Sequence, residues 1–119
     1  MVIFTYNLFN LKTKEMTPFE KGQEERIQEA VRKRIESYSL EGRDTDFVLT
    51  AYSEENRDHI VRIGTNILAN RWGIGFDGGS FIKAIIDNNL METFNRADII
   101  NLKCIRFYVS LIYNQGYIE

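Results

Sequence analysis

A chain of 119 residues with 44% hydrophobic and 27% charged side chains is long enough for one core and too apolar for a disordered segment. Its formal charge of −2 and sequence pI of about 5.5 exclude a global attraction to nucleic acid or to an anionic membrane. The single cysteine, Cys104, excludes an internal disulfide and a cysteine metal cluster, and no apolar run reaches the ~18 residues of a membrane span. The start MVIFTYNLFNLK lacks the basic residues and small-residue cleavage site of a signal peptide, so a cytoplasmic single domain over residues 1–119 is expected.

Residues 2–9 alternate: Val2, Phe4, Tyr6 and Leu8 are apolar while the odd positions are mixed, which predicts a half-buried strand. Thr17-Pro18-Phe19-Glu20 then has the form of a helix start, with threonine to cap, proline at the first helical position and glutamate to reach back. The helix is expected to run to Tyr38 with Ile27, Ala30, Val31, Ile35 and Tyr38 on one stripe. Residues 39–46 read as a loop. The short run FVLTAY at 47–52 reads as a second strand beside the first, with a helix as the open alternative, because short apolar runs are ambiguous by pattern.

Ser53 is placed to cap a further helix, with Glu54 and Glu55 at its positive end and Ile60, Ile63, Ile67, Leu68 and Trp72 at helical spacing. Gly64 inside that stripe permits close approach of a neighbouring helix. A glycine-dense loop follows at 73–79, then a short helix over 80–90 with Phe81, Ala84 and Ile85 inward. Met91 and Phe94 are expected to continue this apolar face. Asp98 caps the most apolar helix-length run, 98–115, and Gly116 is expected to end it. Leu102, Ile105, Val109 and Ile112 form one stripe of this run, and Cys104, Phe107, Tyr108 and Leu111 a second. So little polar surface predicts a hub helix covered on most sides. The expected architecture is mainly α, about four helices with a minor strand pair of 2–9 and 47–52, α+β being the open alternative.

The sequence offers little chemistry. Gly73-x-Gly75-x-x-Gly78 matches the dinucleotide fingerprint letter for letter, but a helix rather than a strand leads into it, so a helix–helix loop is expected. Gly78-Gly79-Ser80 at a helix start retains the option of holding one anion on free backbone N–H groups. His59 is the only histidine and has no local nucleophile signature, and its expected place is an exposed helical position. Asp44 with Asp46, or Asp87 with Glu92, lack the spacing of a calcium loop or two-metal site. No catalytic residue, cofactor or metal is therefore assigned. Arg26, Arg32, Lys33 and Arg34 form the densest basic cluster, diluted by Glu25, Glu29 and Glu36. Phe76, Tyr108, Tyr113 and Tyr117 are candidates for an exposed aromatic patch of the kind used at protein interfaces.

From Gly78 onward the chain resembles small phage and prophage proteins without assigned activity. The residues that carry this are Gly79, Phe81, Ala84, Asn88, Leu90, Arg96-Ala97-Asp98, Asn101 and Tyr113-Asn114. The resemblance covers the last third and implies two helices joined by a tight capped turn. Together with the missing catalytic constellation, it leads to an expected function as a stoichiometric binder of a host bacterial protein, by analogy an inhibitor of a defence system of the anti-CRISPR kind. Where both stripes of the hub helix exceed what one domain can cover, the second is expected to pair with a copy of itself. The alternative is a small nucleic-acid-binding accessory protein using Arg26, Arg32, Lys33 and Arg34.

Overall fold

The computed structural model describes residues 16–119, and the strand expected over 2–9 lies outside them. Seven helices are present among the described residues: α1 (Gln23–Leu40), α2 (Thr45–Thr50), α3 (Glu54–Arg71), α4 (Ser80–Ile86), α5 (Leu90–Arg96), α6 (Ile99–Lys103) and α7 (Ile105–Asn114). Asp44, Ser53, Asn89 and Asp98 each cap the helix that follows, their side chains accepting from the N–H of Phe47, Asn56, Glu92 and Asn101. These short polar residues start new helices where periodicity alone suggests fewer and longer ones.

α1 begins later than its sequence signature predicts. Thr17 is instead extended and bridges Ile74, its N–H donating to Gly73 O at 2.9 Å while the Gly75 N–H donates to Thr17 O at 2.8 Å. A Cβ on Gly75, which sits at φ +81°, would lie 2.6 Å from Phe19 Cζ, so the ring of Phe19 closes over that glycine. Tertiary pairing with the α3–α4 loop thus overrides the local cap. The helix starts only after Gly22, whose left-handed φ of 77° turns the chain into it. The expected stripe holds: Ile27, Val31, Ile35 and Tyr38 are buried, and Ala30 is half-buried.

Residues 47–52 are not a strand. Phe47, Thr50 and Ala51 turn inward at helical spacing from α2, and Phe47 stacks on Phe107 with ring centroids 4.6 Å apart. Tyr38 meets both rings edge-on, at 5.0 Å from Phe47 and 5.3 Å from Phe107. A six-residue helix has little intrinsic stability, so this aromatic cluster is what holds it. The minor strand pair is replaced by helix packing at its second member.

α1, α3 and α7 cross at the centre, where Gly64 lets Val31 and Leu111 reach the backbone of α3. The hub run is divided: Cys104, at φ −113° and ψ 5°, ends α6 and precedes α7. Of its two stripes, Cys104, Phe107, Tyr108 and Leu111 are buried. The other faces outward in part, with Leu102 and Val109 about half exposed at 46% and 49% and Ile105 and Ile112 half-buried. The run is therefore covered on one side rather than most. Its end is also different from expectation, since Gln115 leaves the helix extended (φ −92°, ψ 117°) and Gly116 does not adopt a left-handed conformation. Among the described residues no helix is long and apolar enough to cross a membrane.

Candidate interaction surface

The four basic candidates do not form one patch. Arg34 donates to Glu41 at 3.0 Å and lies 5.4 Å over the Tyr38 ring, and Arg26 donates through Nε to the carbonyl of Glu119. Arg32 borders a shallow cleft of about 290 Å³ between α1 and α3, which it shares with Glu36, Glu54, Arg57 and Asp58. Lys33 is exposed. Carboxylates thus stand beside the cations on this side of α1, and the field that would gather phosphates is weakened.

The glycine loop serves the fold. α3 leads into it, Gly73 and Gly75 take positive φ, and the Gly78 N–H donates to Asn70 Oδ1 at 2.7 Å. That N–H is spoken for by the protein itself, and α4 beyond it has only seven residues. Asp44, weighed above as a cation ligand, accepts from the Tyr38 hydroxyl at 2.8 Å and from the Phe47 N–H at 3.2 Å. No group of three or more metal-ligating side chains gathers among the described residues.

His59 is half-buried rather than exposed and joins a polar cluster that sequence reasoning missed. Its Nδ1 lies 2.8 Å from Arg62 Nη2, and its Nε2 lies 3.1 Å from Asn101 Oδ1 and 3.5 Å from Asp98 Oδ2. A guanidinium can only donate, so Nδ1 accepts and the Nε2–H donates to Asn101. The same Asn101 oxygen accepts from the buried Tyr108 hydroxyl at 2.9 Å. Burial pushes the Tyr108 phenol well above its ordinary value and the Cys104 thiol up to about 12, so neither is charged near neutrality. The cluster ties α3, α6 and α7 together. His59 and Asn101 stand 42 positions apart, and no local signal connects them.

The aromatic candidates separate into two groups. Tyr108 is fully buried, in edge contact with Phe81 at 6.0 Å, and cannot meet a partner. Phe76 and Tyr113 are almost fully exposed, and Tyr117 is half exposed against Trp72. Sequence reading expected a short turn of helix at Met91 and Phe94 but misplaced its inward face. Met91 and Phe94 do not continue the inward face of α4; they point outward with Leu90, at 81%, 49% and 69% exposure, while Thr93 is the buried residue of that helix. The reason lies in Asn89, which restarts the helix in a new phase, accepting from Glu92 N–H through its side chain and from the Thr93 hydroxyl through its backbone carbonyl. Ile99 on α6 is likewise exposed, as are Leu49 and Tyr52 on and just after α2, the helix packed beside α6. No family model, curated protein or solved structure matches this chain.

Proposed function

We propose that the protein works by stoichiometric binding to another protein, through the outward apolar side chains of α5 and of the α6–α7 run. The observation that carries this reading is α5, which turns its three large apolar residues to water and buries a threonine. Single exposed hydrophobes are ordinary, but Leu90, Met91 and Phe94 followed by Ile99, Leu102 and Val109 make a concentration of them on consecutive helices. Apolar and aromatic side chains of this kind are the material of interface cores. The resemblance to small phage proteins supplies the partner class, a protein of a bacterial host, with inhibition of a defence nuclease the first activity to assay. Pairing with a second copy through α7 belongs to the same proposal.

The test compares the parent chain with a Met91→Glu, Phe94→Glu variant as bait in bacterial lysate, with the partner quantified against the bait. Both positions are exposed, so the variant should keep the parent's thermal midpoint while losing its partner. Equal recovery of the same partner by both baits would refute the assignment to α5. Light scattering that gives a concentration-independent monomer removes the pairing of copies.

A further inference from the structure

Residues 115–119 leave α7 extended and fold back over the first turn of α1 and the end of α3. What they meet there is unusual for a surface. Gln23 is 1% exposed, and its carboxamide is fully engaged: Oε1 accepts from the Glu20 N–H at 3.0 Å, while Nε2 donates to Ile118 O at 2.8 Å and to the Tyr117 hydroxyl at 3.1 Å. The Tyr117 ring stands edge-on to Trp72 at 5.1 Å, Ile118 packs against the core, and Arg26 donates to the carbonyl of Glu119. After Gln115, whose N–H donates to Leu111 O, no backbone–backbone hydrogen bond holds this segment among the described residues. It is held as a ligand is held, by side chains of the body.

We propose that Gln23, Arg26 and Trp72 form a docking slot for an extended peptide bearing tyrosine followed by an aliphatic residue, and that residues 115–119 fill it in cis as a displaceable strap. The chemistry of the slot sets the occupant. The Gln23 Nε2 group offers its two hydrogens to a backbone carbonyl and a phenol, Trp72 offers an aromatic wall, and Arg26 takes a further carbonyl. Lifting the strap takes both protein acceptors from the Gln23 amide and the Tyr117 ring from Trp72, and a peptide of the same chemistry restores both. A tethered strap competes at an effective concentration on the order of mM, so a peptide on another protein must bring further contacts to displace it. This surface uses residues other than those of α5 to α7 and stands apart from the binding proposed above.

The experiment uses the full chain carrying Tyr117→Ala and Ile118→Asp, titrated with the synthetic peptide QGYIE while the emission of Trp72, the only tryptophan, is followed. A saturable shift is expected, absent with the peptide QGADE and weakened about tenfold or more when Gln23→Met is added. No shift in a chain that keeps its helical circular dichroism overturns the slot. Should the double variant fail to fold, Tyr117→Phe removes only the hydroxyl: faster amide hydrogen exchange over residues 116–119 than in the parent is expected, and equal exchange overturns the proposal. A concentration-dependent dimer formed by exchanged straps would make a second copy the occupant and overturn the foreign peptide.

Discussion

Gly64→Ala sets two opposed effects against each other where α1, α3 and α7 cross. Removing a glycine from a helix interior gains about 1 kcal/mol in propensity. The new Cβ, however, would lie 3.0 Å from Leu111 Cδ1 and 3.0 Å from Val31 Cγ1. Both neighbours are buried, and Val31 is β-branched and stiff at χ1, so its methyl cannot swing aside without moving α1. Overpacking of this kind costs ~1–3 kcal/mol. With a mid-range cost, the net change is a loss of about 1 kcal/mol, or ~4 °C in Tm for a chain of this size. Urea unfolding should show a lower midpoint at unchanged slope. In a Val31→Ala background the stiffer of the two close contacts disappears and only the Leu111 methyl, at the end of a longer side chain, has to shift. Gly64→Ala should therefore cost less there, giving a coupling of about 1 kcal/mol between the sites. A Gly64→Ala chain more stable than its parent would refute the packing argument.

Asp44→Ala removes the cap of α2 and the acceptor for the Tyr38 hydroxyl together, so a loss of about 2 kcal/mol is expected in chemical denaturation. Burial, with the hydrogen bond and charge of Asp44, pushes the Tyr38 phenol from 10.0 up to about 12. The folded state therefore holds this proton more tightly than the unfolded one. The stability it contributes is complete below the unfolded value and is lost as pH rises toward about 12. Tyr38→Phe should flatten the fall of stability over that alkaline window, and an unchanged profile would contradict the assignment. Tyr108→Phe deletes the hydroxyl bound to Asn101 and should cost about 1 kcal/mol in thermal or urea unfolding. Cys104, fully buried and with its thiol pushed up to about 12, should resist maleimide at neutral pH until denaturant is added; rapid labelling of the native chain would contradict its burial.

What could be read from the sequence was what local chemistry decides. Ser53 and Asp98 cap their helices because a short side-chain oxygen three residues before a free N–H needs no tertiary help. The inward stripes of α1 and α3 and the close approach at Gly64 follow from spacing in the same way. Two of the misreadings involve distant partners, and the third a local cap. Thr17 has the residues of a cap but pairs with the loop at Gly73 and Gly75. The run at 47–52 becomes helical because Phe47 has Tyr38 and Phe107 to pack against. Met91 and Phe94 look like a core face until Asn89 resets the phase. Of the residues singled out for the surface, Phe76, Tyr113 and Tyr117 are accessible, whereas Tyr108 is taken up by the Asn101 cluster and Gln23 carried no signal at all.

The placement of α7 bears on how the chain acquires its shape. Phe107 and Leu111 act as a keystone between α1 and α3, segments laid down far earlier in the order of synthesis. The α1–α3 hairpin can assemble from near neighbours, but its interior stays an unroofed trough until residues beyond Ile105 arrive. Closing so long a loop adds an entropic cost that nearest-neighbour contacts do not carry. A nascent chain halted before α7 is accordingly the form most prone to stick to others, and the one a chaperone would have to shield.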